Sequence, residues 1–282
     1  MKRAIILITG IAGLIWISSC DKLEAPYAVK KSGGDTTTGM FRKVLLEDYT
    51  GHKCVNCPEA ALAARALEHS LNGRLIVMAV HAGFFAEPAA TGDFTADYTS
   101  LAGNEWNTYF NITANPNGMV NRYPTGTPVL GPDLWANAIN AQLELPQQAE
   151  ITISNDYDPV SRLLEISLDT RFLDVLDGAY NLTVCITEDS LISPQKNNNP
   201  DIGYPTPIIY DYVFMDVLRG SVNGTWGEEL SSAVDTAVTY HKTYSVELDE
   251  AWTPEHCHVV AFVANAGTRE IIQAEKEAVP AK

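Results

Sequence analysis

Cys54 and Cys57, three residues apart, are the side chains of this 282-residue sequence best suited to chemistry. They stand in Cys54-Val55-Asn56-Cys57-Pro58, after the apolar run Val44-Leu45-Leu46 and a Thr50-Gly51 turn. An alanine- and leucine-rich segment follows. Such a pair can carry out thiol–disulfide exchange, in which a thiolate attacks a disulfide sulfur and a second thiol resolves the mixed disulfide. A cysteine at a helix N-terminus feels unpaired backbone N–H groups and the positive end of the dipole, and both favour the thiolate. His52 and Lys53 are expected to add positive charge, and Pro58 suits a first helical turn, where no backbone donor is needed. Cys54 is the expected nucleophile and Cys57 the expected resolving thiol. Two other uses of C-x-x-C stay open. A structural zinc site wants four ligands, usually from two such pairs, and only one pair is present. A structural disulfide stapling the helix start fits an oxidising compartment.

The elements that must hold this pair follow from the apolar pattern. Val44–Leu46 reads as a buried strand, and Arg74–Val80 (RLIVMAV) as a buried parallel one. Residues 81–93, rich in Gly, Ala and Pro, read as a loop above the sheet. Residues 94–110 read as partly helical, with Trp106, Tyr109 and Phe110 on an apolar face. Gly118-Met119-Val120 reads as a short strand after Pro116, and Pro132–Leu145 as a closing helix ended by Pro146. Asp48 lies six residues before Cys54.

This arrangement resembles the thioredoxin superfamily, which carries a buried acid at that offset and a cis-proline before an antiparallel strand facing the first cysteine. Asp48 and Pro116 occupy those places. Lys53 replaces the usual aromatic residue, and Val55-Asn56 replaces the glycine–proline of thioredoxin itself. The resemblance implies a thioredoxin-like α/β domain over residues 41–146. It implies that Asp48 shuttles the proton of Cys57, and that Pro116 is cis and shapes the surface accepting a substrate backbone. No organic cofactor and no metal is expected, because the cysteine pair carries the electrons.

From Gln147 the texture changes. Ala149–Ser154, Leu163–Thr170, Tyr180–Thr187, Tyr210–Leu218, Val238–Leu248, Cys257–Asn265 and Glu270–Glu275 are strand candidates separated by turn signals. They predict an all-β antiparallel sandwich domain over 147–282. Ser193–Pro207 reads as a long surface loop. Cys185 is expected outward-facing or at an edge, and a Cys185–Cys257 bridge stays open. His256 and His258 flank Cys257, so alternation sets both on one face; an exposed face or a metal pair would account for them.

The chain opens with Lys2-Arg3, an apolar run from Ala4 to Ile17, and Ile17-Ser18-Ser19-Cys20. A charged start, a short apolar core and small residues before a cut describe a secretory signal peptide over 1–19. Ile-Ser-Ser-Cys resembles the bacterial lipobox, which implies a lipidated Cys20 and a membrane anchor. Residues 20–40 then read as a flexible tether. With 19 Lys and Arg against 35 Asp and Glu, the net charge is −16. A chain this acidic has no surplus for phosphates, so nucleic acid is excluded as a partner class.

The lipoprotein start, the redox helix, YVFMDVLRGSVNGTWGE (212–228) and VVAFVANAGTREIIQAE together resemble the twenty-eight-kilodalton outer-membrane lipoprotein family of anaerobic Gram-negative bacteria. That resemblance implies a lipid-anchored place in the cell envelope, at the outer membrane, without implying an activity. Two functions follow: a thiol–disulfide oxidoreductase acting on a protein thiol or disulfide partner, or a binding or adhesion protein built on a redox-inactive thioredoxin-like scaffold.

Overall fold

The computed structural model describes residues 41–203 and 206–280. Strands β1 (Val44–Thr50) and β2 (Leu75–His81) are buried at all seven of their positions, as continuous apolar runs covered on both faces must be. They pair in parallel, Val44 opposite Leu75 through Thr50 opposite His81. A parallel pair needs a crossover, and α1 (Cys57–Ser70) makes it. Next come α2 (Leu101–Tyr109), β3 (Asn117–Val120), β4 (Val129–Leu130) and α3 (Pro132–Leu143). Ser100 caps α2 by accepting from the Gly103 N–H. β3 runs antiparallel to β1 on the side away from β2.

The remainder is nearly all strand: β5 (Ala149–Asp158), β6 (Leu163–Phe172), β7 (Tyr180–Glu188), β8 (Leu191–Lys196), β9 (Ile208–Phe214) and β10 (Val217–Ser221), then β11 (Glu228–Ser231), β12 (Thr239–Glu247), β13 (Cys257–Asn265) and β14 (Ile271–Ala278). The fold is sheet-rich, with few helices. β6 shows why these segments pack as they do. Leu164, Ile166, Leu168, Thr170 and Phe172 alternate with more exposed residues and put one face in the core.

Residues 40–282 form one unit. Its main sheet has nine strands, in the order β14-β13-β7-β10-β2-β1-β3-β4, with β11 also pairing to β7. Strands from both sides of the boundary expected at residues 146–147 therefore share this sheet. β10 joins β2 in parallel, Val217 opposite Ala79, and the Ala79 N–H donates to the Asp216 carbonyl at 2.8 Å.

Among the described residues three large cores line this sheet, with a smaller cluster of Tyr98, Phe214 and Val217 beside β10. α1 and α3 cover one face of β1 and β2, around Leu46, Val77, Trp135 and Ile139. α2 covers the other, around Tyr49, Met78, Trp106 and Phe262. The three-stranded sheet β12-β6-β5 packs over β7 and β13 to give the antiparallel sandwich. Of the aromatic face expected on α2, Trp106 is buried whereas Tyr109 is exposed.

Two further expectations are corrected. Cys185 is neither outward-facing nor at an edge, because β7 lies inside the nine-stranded sheet and buries it. Cys185 and Cys257 are both free. Cys185 faces the α2 core and Cys257 the sandwich core, so their sulfurs lie on opposite sides of the sheet. The stretch 193–207 is not simply a loop either. It begins inside β8, which pairs with β9 as a separate two-stranded hairpin.

Candidate functional site

Cys54 and Cys57 form a disulfide where β1 runs into α1. The turn between them is tight. A Cβ on Gly51 would come within 2.5 Å of the Phe85 backbone, so only glycine lets the 83–87 segment close over the turn. That approach is held by the Lys53 N–H donating to the Phe85 carbonyl at 3.0 Å. Pro58 takes the first turn of α1, and Asn56 precedes it without a side-chain cap.

Each cysteine is only 2% exposed, and the β8–β9 hairpin supplies much of the cover. Lys196 N–H donates to the His52 carbonyl at 2.8 Å, and Asn198 N–H to the Val55 carbonyl at 3.3 Å. The buried Gln195 amide donates to the Cys54 carbonyl at 2.8 Å, and Asn198 Nδ2 to Asn56 Oδ1 at 2.8 Å. The polar run Ser193-Pro194-Gln195-Lys196-Asn197 carries no apolar period, which is why it reads as a loop in sequence.

The charge around the pair also differs from expectation. His52 is buried and stacks on Phe94 at 5.5 Å between ring centroids. Desolvation pushes its pKa down, against a smaller opposing effect of the Glu87 backbone, so His52 is neutral and adds no charge. Lys53 stays at the surface, its Nζ 5.0 Å from the ring centre of Phe84, which is 72% exposed.

Beneath Cys57 lies a cavity of about 30 Å³ bordered by Asp48, Thr50, His81 and Gln195. Alternation along the parallel ladder explains the grouping, since Asp48 stands opposite Ala79 and Thr50 opposite His81, on the face under α1. Asp48 Oδ1 has no hydrogen-bond partner, and burial raises the pKa of this carboxyl to about 7. Neither ring nitrogen of His81 makes a well-formed hydrogen bond, although the Ala79 backbone lies close enough to act weakly on the ring. Burial, helped by His52 and Arg219, lowers the His81 pKa to about 3, so this imidazole is neutral. Its ring meets Tyr98 and Phe214 edge-on, each at 5.4 Å. In sequence His81 reads as the first loop residue; its place at the strand end comes from its register with Thr50.

The Asn115–Pro116 peptide bond is cis, and Asn115 Nδ2 donates to the Thr50 carbonyl at 3.0 Å, tying this segment to the end of β1. Asp48, Cys54 and Cys57 are thus gathered at one end of the sheet, with the Pro116 segment anchored beside them. Cys20 and the signal segment lie outside the described residues. His256 falls in a 3-10 turn, not a strand, and His258 Nδ1 lies 3.7 Å from Asp189. Among the described residues no cluster of three or more His, Cys, Asp or Glu is placed to hold a metal ion. Among them, too, no helix is long and apolar enough to cross a membrane.

HBP35 of Porphyromonas gingivalis has a similar fold, with TM-score 0.61 and 17% identity over 85% of this chain and 76% of that one. A structural-genomics protein of Agrobacterium tumefaciens follows, at TM-score 0.52 and 12% identity over 86% and 96% of the two chains. A domain of the outer membrane lipoprotein Omp28 of P. gingivalis is 21% identical, covering 47% of this chain and 88% of that one, at TM-score 0.31. None of the curated proteins matches this chain in sequence. The family profile described as outer membrane protein Omp28 matches residues 103–282, well over half of the sequence. The chain therefore belongs to the Omp28 family of outer-membrane proteins, which places it at the outer membrane of the cell envelope.

Proposed function

We propose that this protein is a lipid-anchored outer-membrane binding protein in which a thioredoxin-like frame serves as a scaffold and the Cys54–Cys57 disulfide staples the start of α1. The observation that carries this reading is the seal. Both sulfurs are buried, and main-chain groups of the disulfide turn are already bonded to Gln195, Lys196 and Asn198. A partner disulfide has no approach to Cys54 while the hairpin stays in place. Removal of residues 1–19, a lipid on Cys20 and a tether over 20–40 complete the proposal. Mass spectrometry of the mature protein tests the anchor: an unmodified Cys20, or a cut elsewhere, removes it. For the staple, Cys54→Ser and Cys57→Ser are expected to lose stability alike and to capture no partner protein.

A second reading, thiol–disulfide oxidoreductase, is favoured by a different observation. A staple has no use for a buried, unpartnered carboxyl beside its sulfur, and Asp48 is such a group. On this reading Cys54 is the nucleophile, Cys57 resolves, Asp48 holds the proton of Cys57, and the Pro116 segment receives the substrate backbone. Cys57→Ser would then accumulate mixed disulfides with envelope proteins while Cys54→Ser accumulates none. That asymmetry separates the two readings.

A further inference from the structure

We propose that His81 is a positioning residue for Asp48: its neutral ring donates a hydrogen bond, through one water in the cavity beneath Cys57, to the carboxylate left when Asp48 gives up its proton. The inference rests on the oxidoreductase reading of the cysteine pair. Its basis is a coincidence of orphans. Asp48 Oδ1 and both nitrogens of His81 are buried without a well-formed hydrogen bond, and both residues border the same cavity as Cys57. Buried polar atoms without partners are uncommon, and a cavity of about 30 Å³ holds one water when several polar groups line it. A neutral imidazole offers one N–H donor and one acceptor, so it can serve the carboxyl form through its acceptor and the carboxylate through its donor.

Among the groups that border this cavity, Gln195 Nε2 is already committed to the Cys54 and Lys196 carbonyls, whereas both His81 nitrogens lack a well-formed hydrogen bond. Thr50 and Asp48 on β1 and Cys57 on α1 border the cavity; Tyr212 on β9 does so from the hairpin side. Tyr98 and Phe214 pack on the ring by their edges. Burial above all, together with the nearby Arg219 charge, disfavours a positive charge on the ring and keeps it neutral, against a smaller opposing effect of the Ala79 backbone.

In the reductive step, a thiolate of a protein dithiol, the reductant, attacks Cys54 Sγ. The Cys54–Cys57 bond breaks, and its electron pair leaves on Cys57 Sγ. Asp48 passes its proton to that thiolate and becomes a carboxylate, held by the His81 N–H through the water. The second thiol of the reductant loses its proton to water and, as thiolate, displaces Cys54 from the mixed disulfide. Cys54 leaves as thiolate with the S–S electron pair, so the reductant is oxidised by two electrons and the pair is reduced.

The test uses the full chain and dithiothreitol. Its reduction rate, expressed per reagent thiolate, is followed from pH 5 to 9 by quenching and mass. The wild type is expected to slow severalfold on passing about pH 7, where Asp48 loses its proton. Asp48→Asn should flatten the profile. His81→Phe, which removes the donor, should disfavour the carboxylate and move the midpoint up by about one pH unit. His81→Gln, which restores an N–H donor, should bring it back. A His81→Phe profile superimposable on the wild type overturns the proposal. If that variant does not fold, the wild type still decides. The 15N resonances of the His81 ring must shift as Asp48 titrates, and must not in Asp48→Asn; a ring indifferent to pH overturns it. Failure of the underlying reading looks different: Cys57→Ser captures nothing, while the His81-dependent shift with dithiothreitol persists.

Discussion

Glu47 and Asp48 are consecutive on β1 and equally buried, yet the protein treats their carboxyls in opposite ways. Glu47 points to the α2 face and accepts two bonds from Arg122, Nε and Nη2 each at 2.8 Å. The guanidinium lies 4.8 Å from the ring centre of Trp106 and 5.1 Å from that of Phe262. Asp48 points to the α1 face and meets no cation, only a small cavity, a neutral histidine and a disulfide. A bidentate pair among rings satisfies every group and fixes a geometry. A lone buried carboxyl lacks such partners and carries a cost; on the oxidoreductase reading it would exchange a proton near neutral pH. One strand thus holds a paired acid and an unpaired one, two carboxyls separated by the pleat.

The sharpest way to break this comparison is to unpair Glu47. Glu47→Ala or Arg122→Ala strands a buried charge and should cost about 3–5 kcal/mol in urea unfolding. Replacing both by apolar residues of similar volume, as in Glu47→Leu with Arg122→Met, should recover most of that loss. If the single and double variants are equally unstable, the pair is not acting as a unit.

Asp48 should respond with the opposite sign. Its folded pKa of about 7 lies above the ordinary value of 3.8, so the folded state binds the proton more tightly. Below about pH 4 both states are protonated and there is no penalty. Between about pH 4 and 7 the unfolded chain ionises first and stability falls; above that range the penalty is constant, about 4 kcal/mol as an upper value. Asp48→Asn should therefore match the wild type near pH 4 and exceed it at pH 8. Parallel stability curves for the two proteins would remove the contrast with Glu47.

Smaller effects sharpen the picture at the disulfide. The loop it closes is very short, so Cys54→Ser and Cys57→Ser should each lose roughly 2 kcal/mol from chain entropy. The smallest expected effect is at Gln195. Gln195→Ala removes the bond to the Cys54 carbonyl, about 1 kcal/mol. It should also hasten alkylation of the reduced cysteines, because the cover loosens. Unchanged alkylation would mean that the hairpin does not seal the pair.

Much of this is legible in order along the chain. Val44–Leu46, the Gly51 turn and the cysteines on either side of the α1 start follow one another within a few residues. There, local period and turn chemistry decide the structure. Asp48 is recognisable by its offset from Cys54 and Pro116 by its place before β3, and the chain pattern puts both at the right end of the sheet. The strands of the sandwich are readable from alternation, as in Leu163–Leu168. Misreadings arise where a residue's surroundings come from far away. His52 sits beside Lys53 and looks cationic, but Phe94 and the burial it brings make it neutral. Cys185 shares a strand face with two threonines and looks exposed, but β10 and β13 flank its strand and α2 fills the space over it.

The chain's own order of residues settles where β1 ends, where α1 starts, and that two cysteines and an acid meet there, because these are contacts between near neighbours. The tertiary structure settles whether the site is open. Gln195 reaches Cys54 across 141 positions, and Glu47 finds Arg122 across 75. No local pattern encodes such contacts. The first exists because β10 adds to β2 within a single sheet and brings the β8–β9 hairpin down onto the disulfide, and the second because β3 pairs antiparallel to β1.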